Sequence, residues 1–315
     1  MGGLVYGKAW GGRWTSRIIC VILSLTFITG CQSFQSSTNE ATVSSTSDDL
    51  YQETQTLQRK FESAYESLGN RDSLDRAYTY LKQIRPEIVG SRWYNKTICE
   101  INYYMATYMD IAMDSSKMLY DEGRTAATTI LSGHSPTMRF LNSDRSLPDT
   151  PLADSLETVP VDALYWWSLH TLLWSVDEPP ITRMIGRQRI ERAITLIEAV
   201  NPDYRYDAVL RLRGLLCTIS PDGDLNEARE AFNQSVSLSG AYLENRFLYG
   251  RYYGTMLQNR LLFRTQMEKV INATHTYPLE FQELNELVKS RAREFLVAED
   301  SFFSASTQFR LNSKK

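Results

Sequence analysis

Three histidines, His134, His170 and His275, are the obvious candidates for metal or acid–base chemistry, and they lie far apart in the chain. None has a second ligand-type residue at a metal spacing such as H-E-x-x-H, so no metal site is expected. The run Asp222-Gly223-Asp224-Leu225-Asn226 has the first carboxylates of a calcium loop. It lacks the glycine needed at position six, which is Glu227, and the glutamate at position twelve, which is Asn233. An N-cap reading fits better, with Asp224 as cap and Glu227 as its capping-box partner. Carboxylates such as Glu244, Glu268 and Glu283 could be imagined as a catalytic pair, but their setting predicts solvated helix faces. No G-x-S-x-G, no Walker or Rossmann glycine pattern and no cysteine with a neighbouring histidine is present. No catalytic residue, cofactor or metal is therefore expected, although a site assembled from distant residues would leave no such trace.

The elements that would position any site are helices. Residues 224–253 read as two amphipathic helices joined at Ser239-Gly240. In the first, Leu225, Ala228, Phe232, Ser235 and Val236 share one face. Leu243, Phe247, Gly250, Gly254 and Leu257 form the stripe of the second. An apolar residue, an alanine three later and a large apolar residue seven later recur as Leu74/Ala77/Leu81, Ile190/Ala193/Ile197 and Leu225/Ala228/Phe232. The last two copies are 35 residues apart, close to the roughly 34-residue tetratricopeptide (TPR) period. The small residue lets paired helix backbones approach, and the large one fills the groove beside it. Gly250-x-x-x-Gly254 marks a close approach of the same kind. The fold class expected is all-α: stacked helical hairpins in a TPR-like α-solenoid.

At 315 residues, 43% hydrophobic and 23% charged, the chain has ordinary globular composition. Residues 1–30 read as an export signal, with Lys8, Arg13 and Arg17 before an apolar run at 18–28. That run is about eleven residues, short of the roughly twenty that span a bilayer. It ends in Ile28-Thr29-Gly30-Cys31, which resembles the bacterial lipobox and makes Cys31 the expected lipidation site and membrane anchor. Gln32 after the cysteine leans towards the outer membrane, periplasmic face. Losing the three basic residues takes the net charge from −3 to about −6. The remaining Lys and Arg are dispersed among acids, which excludes a nucleic-acid surface. Cys99 and Cys217 could pair in an oxidising compartment, but each lies on an apolar helical face and reads as a buried thiol.

Residues 31–49 are mostly Ser, Thr, Asn, Gln and Asp and read as a flexible tether. The helical body is expected over residues 50–303, with helices at 50–68, 71–85, 91–120, 121–131, 161–176, 182–200, 204–219, 224–238, 242–258, 261–273 and 279–298. Residues 133–160, with four prolines, are the least regular, and residues 304–315 read as a frayed tail. Residues 161–176, VDALYWWSLHTLLWSV, make the most apolar helix of the body. Surplus aromatics nominate Trp167, Tyr252 and Tyr253 for a partner or ligand groove, weighed against simple core packing.

Residues 161–303 resemble the T component of TRAP transporters, the TatT-like lipoproteins. The matching pieces are Ala163-Leu164-Tyr165-Trp166-Trp167, Asp224-Leu225 through Ala228-Arg229, Ala231-Phe232 and Ser237-Leu238-Ser239. They continue with Leu248-Tyr249-Gly250-Arg251-Tyr252-Tyr253, Phe263, and Arg291-Ala292 through Phe295-Leu296 to Asp300 and Phe302. The lipobox at Cys31 fits the family, while the glycine pair expected before Asp224 is here Asp222-Gly223. The resemblance implies a periplasmic, lipid-anchored, TPR-like scaffold that associates with the TRAP substrate-binding protein. It also allows self-association to a homo-oligomer and an apolar groove for ligand. Two other classes stay open on the residues: a TPR adaptor lipoprotein in outer-membrane or secretion-machinery assembly, and a helical hydrolase acting on cell-wall material.

Overall fold

Helix caps and breakers set the architecture. In the computed structural model, residues 40–143, 158–274 and 277–303 are described, and all regular structure among them is helical. Cys31 and His275 lie outside the described residues. The first helices are α1 (Glu40–Tyr65), α2 (Arg71–Gln83), α3 (Pro86–Val89) and α4 (Ser91–Tyr108). Next come α5 (Met113–Ser132), α6 (Ser135–Leu141), α7 (Val161–Ser175) and α8 (Pro180–Val200). They are followed by α9 (Ala208–Ile219), α10 (Leu225–Leu238) and α11 (Glu244–Leu248), which runs into a π-helical turn at Tyr249–Gly254. The last are α12 (Arg260–Ile271), α13 (Gln282–Val297) and α14 (Glu299–Phe302).

Several boundaries differ from expectation. Helix α1 begins at Glu40, not at residue 50, and so includes the end of the segment read as tether. The continuous helix expected at 91–120 is broken: Met109 turns extended (φ −88°, ψ 153°), and α5 then runs unbroken to Ser132. Apolar residues on both sides of the break hid it from a periodicity argument. The helix expected at 242–258 changes pitch at Tyr249. A π turn inserts a residue into the ladder and re-aims the side chains after it.

Other signals hold. Asp224 caps α10, its Oδ1 accepting from the backbone N–H of Asn226 at 2.7 Å and of Glu227 at 3.4 Å. Asn70 caps α2 in the same way. In the recurring template every position is buried except Leu225, which sits at the first turn of α10 and is 36% exposed. Gly250 and Gly254 lie against Phe263, Gln266 and Met267, so they do mark the close approach of α12. Cys99 and Cys217 are both buried and free.

Helix α7 is the centre of the packing. Its sides are apolar all round, the pattern of a helix covered on every face, and residues Ala163 to Leu173 are all buried. It packs against α4, α5, α8 and α9. The sequence-adjacent pairs α4/α5, α9/α10 and α12/α13 are in contact, and α4 also meets α13. Arg71 on α2 pairs with Glu294 on α13, and the Gly69 N–H donates to Glu283 at 2.9 Å. Three central helices interlock at one point. His170 Nε2–H on α7 donates to the Cys99 carbonyl on α4 at 2.8 Å, and the Cys99 thiol donates to the Gly123 carbonyl on α5 at 3.3 Å. A Cβ on Gly123 would fall within 2.2–2.6 Å of the imidazole, so only glycine admits His170 there.

Candidate functional sites around helix α7

The residues before α9 carry the most unusual backbone. Arg205, Tyr206 and Asp207 have φ of 43°, 57° and 62°, three successive left-handed residues with side chains. Such a conformation costs about 1–3 kcal/mol per residue and needs surrounding contacts to hold it. Those contacts come from Arg211, which is completely buried. Its guanidinium donates to the carbonyls of Tyr206 and Arg205, each at 3.2 Å, to Asn245 Oδ1 at 2.6 Å and to the Tyr165 hydroxyl at 3.1 Å. Its Nε lies 3.6 Å from the carboxylate of Glu244.

Glu244 is also buried, which corrects the expectation of a solvated face; Glu268 is exposed and Glu283 is partly buried. One oxygen of Glu244 accepts from the phenols of Tyr103, at 2.6 Å, and Tyr108, and the other from Tyr242 at 2.9 Å. Burial works against charge on Arg211, but Tyr165, Tyr242 and Glu244 outweigh it and hold the guanidinium protonated. The Tyr103 and Tyr108 phenols are pushed far up, by burial first and then by Glu244. A second, partly buried pair lies alongside: Arg205 and the Tyr104 phenol donate to Glu100 at 3.0 and 2.8 Å. Burial alone would raise the Glu100 carboxyl, yet Arg205 and Tyr104 hold it below the usual range.

Chemically this centre is a closed ionic network. Both oxygens of Glu244 are occupied, and its phenolic neighbours stay protonated. A general base must reach a substrate proton, and neither cleft described below is lined by Glu244 or Arg211. The network fixes α4, α9 and α11 relative to one another. A sequence signal for it existed: Arg211 falls on the stripe Ala208, Leu212, Leu215, where a charge must be buried.

Two of the clefts beside α7 share Trp174. The first, of about 280 Å³, lies between α5, α7, the π turn and α13, and includes Tyr252, Arg251, Lys117, Asp177 and Phe295. Arg251 rests over the Phe295 and Phe302 rings, 5.0 and 4.6 Å from guanidinium carbon to centroid. The second, of about 420 Å³, lies between α5, α7, α8 and the end of α9, and Trp167 is in its wall.

The three nominated aromatics therefore sit in three environments. Trp167 lines the second cleft, Tyr252 lines the first, and Tyr253 is buried against Tyr249 and Phe232. Tyr252 and Tyr253, neighbours in the π turn, face different sides. The arginines of both clefts carry no sequence signal, because isolated basic residues on amphipathic helices look like solvated positions.

Among the described residues no group of His, Cys, Asp and Glu is arranged to hold a metal ion. His170 is packed in the core, and His134 caps α6 through Thr137. No described helix is long and apolar enough to cross a membrane.

No curated protein matches the chain. The family model of the TRAP transporter T-component matches residues 107–303, from the end of α4 through α14. That span holds α7, the greater part of the buried network and both clefts, and it extends the resemblance read from the residues by more than fifty positions towards the N-terminus. The chain belongs to the TRAP transporter T-component family, and is thus a component of a TRAP transport system of the bacterial cell envelope, acting with the other components of that system.

Proposed function

We propose that this protein is a non-enzymatic periplasmic scaffold that associates with the substrate-binding component of its TRAP system. Cys31 carries the lipid that holds it at the outer membrane, residues 31–49 give it reach, and the helical body of residues 50–303 presents the binding surface. The observation that carries the reading is the family match over the helical body. It is supported by the state of the ionic groups: the carboxylates of buried Glu244 and partly buried Glu100 are taken up by internal partners, as expected of a rigid body that binds without reacting. Tyr252 and Trp167, on the walls of the two clefts, are the proposed groove residues for partner or ligand.

A strain lacking this protein is expected to lose uptake of the solute served by its TRAP system. The wild-type chain should restore it, and Cys31→Ser, which removes the acylation site, should not. Undiminished uptake in the deletion strain would refute the transport role. Full rescue by Cys31→Ser would refute the anchor alone.

A further inference from the structure

We propose that the groove between α1 and α2 is a docking surface for the phosphate headgroups of anionic phospholipids in the membrane that holds the chain. Its lining carries Arg59, Lys60 and Arg76, with no Asp or Glu and no large aliphatic side chain. A chain with more acids than bases thus gathers three cations in one place. All three are exposed. Arg59 Nε donates to the Gln55 carbonyl at 3.3 Å, and Arg76 Nη2 donates to Ser73 Oγ at 3.0 Å. The Lys60 ammonium lies 5.8 Å from the centroid of the Tyr80 ring on the facing helix. Among the described residues none of the three forms an ion pair. Other cations of α2 differ: Arg71 pairs with Glu294 and Lys82 with Glu122.

Like charges lining one groove raise the local concentration of anions, and an anion that reaches all three is held more firmly than by any one. The hydroxyls of Ser63 and Ser67, one turn apart on α1, and of Tyr80 on α2 add donors along the same walls. Guanidinium forks, an ammonium and hydroxyls together suit the several acceptor oxygens of a phosphate group. The groove, of about 690 Å³, offers no wall to an apolar ligand, so its anion must come from a polar surface. Position in the chain selects the membrane as that surface. Arg59 lies 28 residues after Cys31, and an acyl group there keeps the groove close to the headgroups at high effective concentration. Each basic residue near an anionic surface contributes roughly fivefold in binding, so three amount to on the order of a hundredfold before the acids of the chain are counted. This choice of surface rests on the anchor proposed above.

The test is co-sedimentation of residues 31–315, made with Cys31→Ser so that no acyl group contributes, with vesicles of phosphatidylcholine alone or with about one-third phosphatidylglycerol. At about 0.05 M salt the anionic vesicles should bind at least about tenfold more tightly than the neutral ones, and the preference should vanish by about 0.5 M. Arg59→Gln, Lys60→Gln and Arg76→Gln together should abolish it. Arg229→Gln, Lys269→Gln and Arg293→Gln together remove the same charge from exposed positions on other helices and should keep it. Both triple variants should melt like wild type, because every substituted side chain is exposed. The proposal is overturned if neutral and anionic vesicles bind equally, if the groove variant binds like wild type, or if both triple variants lose binding alike. It is also overturned if about 10 mM inorganic phosphate, or a polyglutamate peptide at equal charge, displaces the vesicles, which would assign the groove to a free anion or to an acidic protein segment. The anchor is tested apart, by the mass of the acyl group on Cys31 in the native protein, so the two readings fail separately.

Discussion

Arg211→Met is expected to destabilise the protein by about 3–5 kcal/mol, because it leaves Glu244 as a buried carboxylate without its cation. The loss reaches beyond the pair. Arg211 satisfies the carbonyls of Arg205 and Tyr206, which point inward because three successive residues are left-handed. Without the guanidinium the Arg205 carbonyl loses its side-chain donor, the Tyr206 carbonyl keeps only Asn245 Nδ2 at 3.5 Å, and the turn into α9 is weakened. Urea unfolding of wild type and variant measures the difference. The double variant Arg211→Met, Glu244→Gln should recover part of it, since a neutral amide costs less to bury than an unpaired charge. A loss below about 1 kcal/mol for the single variant would mean that the pair is solvated and the network does not hold the helices together.

The second large effect is pH dependence at His170. Burial pushes its pKa from the ordinary 6.5 down to about 4, and the hydrogen bond to the Cys99 carbonyl only partly opposes that shift. The folded protein therefore refuses a proton that the unfolded chain accepts. Above pH 6.5 the residue costs nothing. As pH falls from 6.5 towards 4, stability is lost at about 1.4 kcal/mol per unit, on the order of 3 kcal/mol in all. Glu100 and Asp162, whose carboxyls are held low by Arg205 and by Lys96 with Tyr204, add their own loss only below the unfolded carboxyl range. His170→Gln can keep an N–H on the Cys99 carbonyl and has no proton to gain. Its urea midpoint should fall less steeply than that of wild type between pH 6.5 and 4.5. Parallel decline of the two proteins would contradict the neutral, buried imidazole.

Much of this fold could be read from residue spacing, and the failures have physical causes. Caps such as Asp224, the apolar α7 and the Gly250/Gly254 approach are local signals, and they formed where expected. The break after Tyr108 was hidden because α4 and α5 are both apolar enough for one stripe to run on across the turn. Spacing puts Glu244 in solvent because a carboxylate alone carries no sign of the three phenols that reach it from Tyr103 and Tyr108, far away in the chain, and from Tyr242. No local rule predicts left-handed Arg205, Tyr206 and Asp207, since tertiary contacts such as those with Arg211, Glu100 and Ser239 stabilise them. Bulk alone nominates Trp167, Tyr252 and Tyr253. Their placement, Trp167 and Tyr252 on separate clefts and Tyr253 in the core, follows from how the helices pack, which spacing does not reveal.

The central claim is that this helical body works by holding the solute receptor of a TRAP system. It is tested most directly by tagging the chain after Lys315, extracting membranes in mild detergent and identifying what stays bound through purification. The account predicts that the TRAP substrate-binding protein is retained in fixed proportion to the tagged chain. Recovery of outer-membrane or secretion-assembly proteins in its place, with the solute receptor absent although expressed, would contradict it.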